Sequence, residues 1–182
     1  MIFPNTFVKQ VIASIIAPHG ITDLVHAKQN KLLPQLYTIN ICSVLGSMGL
    51  NNNAHTFADI LFYSISIYHF RNDMPELKDI ANKTTLSALM IMSFFAIDPN
   101  LFLYYMVFIH VPNHYLMSWS TLKKDTIFSI SVLSITTLVS MIIANYPSIV
   151  ESELVENISK GLIFSHIIYE ESYIFKTIPL KN

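Results

Sequence analysis

The stretch DTIFSISVLSITTLVSMIIANY (residues 125–146) carries a single charged residue, Asp125, at its first position. About 20 consecutive apolar residues are enough for a helix to cross the hydrocarbon core of a bilayer. The stretch therefore predicts a membrane-spanning helix. Lys123 and Lys124 precede it, whereas the segment that follows, YPSIVESELVEN (146–157), is acidic. Because basic residues favour the cytoplasmic side, we expect this helix to begin at the cytoplasmic face.

The composition of the whole chain agrees with a membrane environment. Of its 182 residues, 52% are hydrophobic and only 13% are charged, against about 25% charged residues in a typical soluble domain. The length gives no reason to divide the chain, so we expect one integral membrane domain over residues 1–182. A net charge of −1 without a long basic run gives no indication of a nucleic-acid partner.

Apolar runs recur along the chain and predict about seven helices. They lie at roughly 5–27, 35–50, 54–71, 83–97, 100–119, 125–146 and 158–176. Lysine and arginine concentrate in alternate connections, which is the pattern of a multi-pass protein. We therefore predict an all-α, polytopic transmembrane helical bundle with its N-terminus outside and its C-terminus in the cytoplasm.

Two histidines lie inside the fifth apolar run, in FIHVPNHYLMSW (108–119). His110 and His114 are four residues apart, so they share one face of a helix and can bind the same ion. Pro112 lies between them and removes a helical hydrogen bond there. Breaks of this kind in membrane helices often lie beside a cavity.

Two further histidines belong to the same layer of the predicted membrane. At about 1.5 Å rise per residue, His19 and His69 lie with His110 and His114 within roughly 3–14 Å of one face. Ionisable residues at membrane depth usually mark a functional site, and imidazole suits iron, zinc, copper or nickel. We therefore predict a metal site, the alternative being histidines that only form hydrogen bonds between helices.

Nearby acidic residues are candidates for orienting these histidines. Asp23 follows His19 by four residues, and Asp73 follows His69 by four. Metal-bound histidines commonly donate their second N–H to such carboxylates. His166 and Glu170 form one more pair at this spacing. The spacing leaves open whether they bond only to each other, support the ligands or belong to the site.

Three short motifs together resemble a known family. The segments APHGITDLVHA (17–27), SIYHFRND (66–73) and FIHVPNHYL (108–116) are similar to the three histidine motifs of the Brp/Blh family of membrane β-carotene 15,15'-dioxygenases, of which this chain would be a short member. Two positions depart from the family pattern. Arg71 stands where a small residue is expected, and Asn113 stands where an arginine is expected.

The resemblance implies that the chain cleaves the central double bond of β-carotene with O2 and releases two molecules of retinal, which could supply a rhodopsin. It also implies a non-haem Fe(II) cofactor in a bilayer enzyme. The ligands implied by the motifs are His19, His69, His110 and His114. Aromatic residues beside them are candidates for lining the substrate path, although such residues more often form a core: Tyr68, Phe70, Tyr105 and Phe108.

Two other classes of membrane protein remain as alternatives. A histidine-rich lipid desaturase or hydroxylase would carry denser histidine boxes, and it would hold two irons where the dioxygenase holds one. An ion or metal transporter also combines helices interrupted by proline with ionisable groups at mid-depth. A retinal-binding receptor would need a lysine deep in the bundle, and the last helix has Lys160 and Lys176 only near its ends.

Overall fold

The protein is helical throughout the part that the structure, a computed structural model, describes: residues 17–74, 77, 79–98, 100–146 and 152–174. The all-α prediction is thereby confirmed. In chain order the helices are α1 (Ala17–His19), α2 (Thr22–Gln29), α3 (Leu33–Asn53), α4 (His55–Phe70), α5 (Ile80–Ile97), α6 (Asn100–Tyr105), α7 (Val111–Lys124), α8 (Thr126–Ala144) and α9 (Glu153–Tyr169). A π-helical segment, Met106–His110, joins α6 to α7, and another, Glu170–Ile174, extends α9.

Each of the seven predicted helices corresponds to helical structure, with different ends. The first is interrupted after His19, and its residues 5–16 lie outside the described part of the chain. The last begins at Glu153 rather than near 158, because the Ser152 hydroxyl caps it by accepting from the Val155 N–H at 3.3 Å. Capping side chains of this kind fix helix ends more sharply than an apolar run does.

Helix α9 packs closely along α3. A methyl group added at Gly161 would lie 2.5 Å from Val44 Cα, so the absence of a side chain there allows the two backbones to approach. One turn later the Ser165 hydroxyl donates to Asn40 Oδ1 on α3. Small residues four apart are a common means of close helix packing in membranes. This contact positions His166 and Glu170, which lie just beyond it.

The distribution of polar and apolar side chains is the reverse of that in a soluble domain. Among the described residues, buried polar side chains are about as numerous as buried apolar ones, and they include five histidines. Large apolar side chains face outward, as at Ile41, Leu89, Ile127 and Ile135. Many large apolar side chains facing outward are consistent with a lipid or protein environment.

Helix α8 is the one helix in the described ranges that is long and apolar enough to span a membrane. It has 19 residues, a mean hydropathy of 2.2 over its most apolar window, and only 11% of that window is buried. It corresponds to the segment 125–146 from which the membrane prediction started. The other predicted spans are helical but do not meet the same criteria of length and hydropathy.

The C-terminal end of α2 is joined to the end of α7 and to the residue before α8. Lys28 Nζ donates to Asp125 Oδ2 at 2.8 Å, and Gln29 donates to the Thr121 carbonyl at 2.7 Å. Asp125 also caps α8, because its Oδ1 accepts from the Phe128 N–H at 3.3 Å. The hydrogen bond from Lys28 lowers the pKa of the Asp125 carboxyl. These contacts hold α2 against α7 at the end of the bundle that contains the histidines.

Candidate metal centre

Five histidines from separate parts of the chain meet in one buried cluster. His19 lies in α1, His69 in α4, His110 and His114 on either side of the α6–α7 junction, and His166 in α9. Their exposed fractions run from 1% to 8%. The cluster includes all four histidines that the sequence predicts as ligands. It also includes His166, whose role the spacing left open.

Four of these imidazoles form a closed ring. Going around it, the ring centroids are separated by 5.3 Å (His19–His110), 5.1 Å (His110–His69), 5.5 Å (His69–His166) and 4.9 Å (His166–His19). A histidine bound through a nitrogen at about 2.1 Å has its centroid roughly 3.2 Å from the ion. Two such ligands at 90–109° have centroids roughly 4.5–5.2 Å apart. The separations of 4.9 and 5.1 Å fall in this range and those of 5.3 and 5.5 Å lie just above it, so the ring is slightly wider than one closed around a bound ion.

Carboxylates orient two members of the ring. His110 Nδ1 donates to Asp73 Oδ2 at 2.8 Å, and His166 Nδ1 donates to Asp23 Oδ2 at 2.8 Å. Each bond holds the imidazole plane and leaves the Nε2 atom for another partner. This carboxylate–histidine arrangement is the one that supports metal ligands in proteins.

The two aspartates were expected to contact histidines, and each bonds to a histidine other than the one at four-residue spacing. Spacing along the chain pairs Asp23 with His19 and Asp73 with His69. In the structure Asp23 bonds to His166, which is 143 positions away, and Asp73 bonds to His110, which is 37 positions away. A four-residue spacing brings two side chains to one helix face, but the packing of other helices decides which partner is closer.

His114 is held differently from the other histidines. Its Nδ1 lies 2.8 Å from Glu170 Oε1, and its Nε2 makes a hydrogen bond with the Thr22 hydroxyl. That hydroxyl donates its own proton to the His19 carbonyl at 2.8 Å, so it accepts from His114. Both ring nitrogens of His114 therefore lie close to protein oxygen atoms.

Among the described residues, two groups of side chains can hold a metal ion. One is formed by His19, His110 and His166; the other is formed by His69, His166 and Glu170. In each group the ligand atoms lie within 4.8 Å of one another, and every member is buried. His166 is common to both groups, so they share one residue of the C-terminal helix.

Both π-helical segments lie at this centre. The first ends at His110, and the second begins at Glu170. Pro112 has no N–H to continue an α-helical ladder, and the wider turn before it accommodates this loss. π-Helical turns within α-helices occur frequently at functional sites. Here each turn sets the direction of a side chain that faces the cluster.

The four aromatic candidates for a substrate path do not lie in one place. Phe70 and Tyr105 are buried beside the cluster, where the Phe70 ring lies 4.8 Å from His110 and the Tyr105 hydroxyl donates to Asp73. Tyr68 is exposed and lies under the Arg71 guanidinium at 3.4 Å, and Phe108 is 71% exposed. The first two therefore support the histidines, and the other two face outward.

A polar cavity of about 330 Å³ lies on the other side of Thr22. Its wall includes His26, Ser118, Thr121 and Lys124. His26 is not one of the cluster histidines, because its Nδ1 bonds to the Tyr169 hydroxyl at 2.9 Å. The lining of this cavity, which includes Thr22 beside the cluster, is therefore mainly polar.

Two residues at the cluster have no counterpart in the sequence prediction. Thr22 contacts His114, and Glu171 lies 3.8 Å from His69 Nδ1 through its Oε1 while accepting from Asn72 at 2.6 Å. Thr22 stands inside the first histidine motif, three residues after His19, so its position was a usable signal. The sequence contains no comparable signal for Glu171, because its contact with His69 depends on how the C-terminal segment packs against the end of α4.

Comparisons of the chain with protein-family models, with curated proteins and with solved structures give no match. What the site can bind is therefore inferred from the side chains that form it. Buried imidazoles and a carboxylate are ligands for a transition metal ion such as iron, zinc, copper or nickel. The described residues can hold one.

Proposed function

We propose that this chain is a multi-pass membrane dioxygenase that uses non-haem iron to cleave β-carotene at its central 15,15' double bond. The observation that carries the proposal is the cluster of five buried histidines, four of which come from the three motifs that resemble the Brp/Blh family. Because these motifs are far apart in the sequence, their convergence on one ligand set supports a shared role.

Membrane residence is part of this proposal. The composition, the apolar outer face and helix α8 support it. A carotenoid dissolves in the hydrocarbon core, so a site among membrane helices would receive it laterally. We propose that the remaining long helices also cross or enter the bilayer, with the N-terminus outside and the C-terminus in the cytoplasm.

The reaction balances without a further reductant. One O2 and one β-carotene give two retinal molecules: the C15=C15' and O=O bonds break, and two C=O bonds form. An iron(II) ion held by His19, His69, His110 and His114 would supply the dioxygen chemistry. The carboxylates would orient the imidazoles, and the buried rings of Phe70 and Tyr105 would exclude water from the same side.

Entry of the substrate would occur on the outward-facing side of the α6–α7 junction. Phe108 is exposed there, in the segment that also carries the cluster histidine His110. A flat polyene packs well against aromatic rings. The polar cavity beside Thr22 suits water or ions better than a hydrocarbon, and we assign it no role in binding the carotenoid.

The same cavity favours a second candidate function, transport of a metal ion. A polar chamber next to buried histidines and carboxylates is the arrangement expected of an ion path. A transporter would release its ion during purification and would move it across vesicle membranes. A dioxygenase would retain one iron per chain, and a desaturase-like or hydroxylase-like enzyme would retain two.

The proposal is tested in cells that accumulate β-carotene. Expression of the chain should remove the orange colour and produce retinal, and His110→Ala should abolish both effects. His26→Gln is the matched control, because His26 bonds to Tyr169 outside the cluster. Unchanged β-carotene with a membrane-inserted wild-type chain would contradict this substrate. Iron analysis of the purified protein would then separate another oxygenase from a transporter.

A further inference from the structure

We propose that His166 and Glu170 of the C-terminal helix coordinate the metal together with His19, His69 and His110, and that His114 is a positioning residue rather than a ligand. The inference rests on the proposed metal centre and changes its ligand set. It follows from the geometry of five side chains, three of which also belong to the set that the motif resemblance implies.

His166 belongs to the ring of four imidazoles. His166 lies 4.9 Å from His19 and 5.5 Å from His69 between ring centroids, so it closes the ring opposite His110. His114 lies 5.2 Å from His19 and 5.3 Å from His166, but 6.4 Å from His110. It therefore lies beside the His19–His166 edge of the ring, and it belongs to neither group of side chains that can hold a metal ion.

Two buried atoms, one on His166 and one on Glu170, are available to bind a metal. His166 Nε2 and Glu170 Oε2 are buried, and neither has a hydrogen-bond partner among the described residues. His166 Nδ1 is already bonded to Asp23, so Nε2 is the atom that faces the cluster. A buried polar atom without a partner is costly, and a metal ion would satisfy both of these atoms at once.

The carboxylate of Glu170 lies close to His69 and to His166. Its Oε2 lies 3.5 Å from His69 Nε2 and 3.6 Å from His166 Nε2. These separations are too long for good hydrogen bonds. They are close to the roughly 3.0–3.4 Å between two atoms that bind one ion at about 2.1 Å. Glu170 Oε2 therefore already stands near the spacing that a bound ion requires from each histidine, and the ligand atoms of all three residues lie within 4.8 Å of one another.

His114 is placed to orient Glu170. Its Nδ1 lies 2.8 Å from Glu170 Oε1 in an ion pair whose geometry is not that of a hydrogen bond, and the other oxygen, Oε2, is the one that contacts His69 and His166. Thr22 accepts from the remaining nitrogen of His114. His114 thus links Thr22 to Glu170 and fixes the carboxylate, as supporting residues around metal sites commonly do.

Cobalt(II) is the probe that tests this ligand set. Its visible absorption bands respond to the number and type of ligands, so it reports coordination independently of enzyme activity. The purified full-length chain would be titrated with Co²⁺ alone, for wild type and for His166→Ala, Glu170→Gln, His114→Gln and the control His26→Gln. Glu170→Gln keeps the shape of the side chain, so it decides the question if His166→Ala fails to fold.

We expect one Co²⁺ per wild-type chain. His166→Ala should lower the affinity at least about 100-fold and change the spectrum at saturation. Glu170→Gln should also change the spectrum, while His114→Gln should weaken binding about 10- to 100-fold and keep the wild-type spectrum.

Other results separate failure of the inference from failure of the proposed function. Wild-type affinity and spectrum in His166→Ala and Glu170→Gln, with a changed spectrum in His114→Gln, would overturn the inference and leave the iron centre intact. A wild-type chain that binds no Co²⁺ would overturn the proposed metal function itself. Two ions per chain would overturn the single shared centre.

Discussion

Asp73 Oδ2 accepts a hydrogen bond from His110 Nδ1 at 2.8 Å and a second one from the Tyr105 hydroxyl. One carboxylate oxygen thus connects the 3₁₀ turn Arg71–Asp73 at the end of α4 to the α6–α7 junction. The bond to His110 holds the imidazole in the cluster, and the bond from Tyr105 holds the carboxylate. The two contacts should therefore differ in their importance for metal binding.

Asp73→Asn should weaken Co²⁺ binding about 10- to 100-fold, because the charged acceptor that orients His110 becomes a neutral amide. Tyr105→Phe should have a smaller effect, since it removes the hydroxyl and leaves the His110 bond in place. Both variants would be titrated in detergent beside the wild type. Equal affinities for Asp73→Asn and wild type would show that this hydrogen bond does not support the metal.

Gly161→Ala should lower the free energy of unfolding by about 1–3 kcal/mol, because the new methyl group would overlap the α3 backbone at Val44. Gly46→Ala is the matched control on α3, since a methyl group there meets nothing within 4 Å. It should be neutral, or stabilising by up to about 1 kcal/mol through helix propensity. Thermal unfolding in one detergent measures both, and equal melting temperatures would contradict the close α3–α9 contact.

Asp125 should contribute to stability above about pH 4 and lose that contribution in acid. Its folded-state pKa is lowered, chiefly by the hydrogen bond from Lys28. The contribution is therefore complete above the ordinary aspartate pKa of about 3.9 and disappears as the pH falls through the lowered value. Melting temperatures of wild type and Asp125→Ala should differ at pH 7 and converge at low pH.

A second substitution separates the two contacts of Asp125. Asp125→Ser keeps a side-chain cap for α8 but removes the ion pair with Lys28. It should melt between wild type and Asp125→Ala at pH 7. High salt should reduce its difference from wild type, because an exposed ion pair is screened. If the difference in melting temperature between wild type and Asp125→Ala is independent of both pH and salt, the contribution of Asp125 is due to capping alone.

Ile135 should lie in the hydrocarbon core of the membrane. Its side chain is 62% exposed on α8, yet Ile135→Cys should not react with a water-soluble maleimide in open membrane fragments. It should react after unfolding in detergent. Asn30→Cys, in the exposed connection between α2 and α3, should react in both conditions. Cys42, the only native cysteine, would first be changed to serine. Reaction of Ile135→Cys in membranes would contradict a span at α8.

Helix positions were largely readable from the sequence, because apolar runs separated by polar segments reflect a local property of the chain. The ends of the helices were predicted less accurately. Helix α7 continues to Lys124, past the predicted end at residue 119. Helix α8 begins at Thr126, because Asp125 caps it. Capping depends on one side chain and one N–H, and hydropathy does not register such contacts.

The sequence by itself determined the helical character of the chain and the four histidines that share a predicted depth, because both follow from residue type and local spacing. The tertiary structure alone decided which side chains meet. Spacing assigned Asp23 to His19, whereas close packing of α9 on α3 brings His166 to Asp23. The same packing carries Glu170 into the cluster. A contact between helices depends on how whole elements dock, and no local pattern in either segment records that geometry.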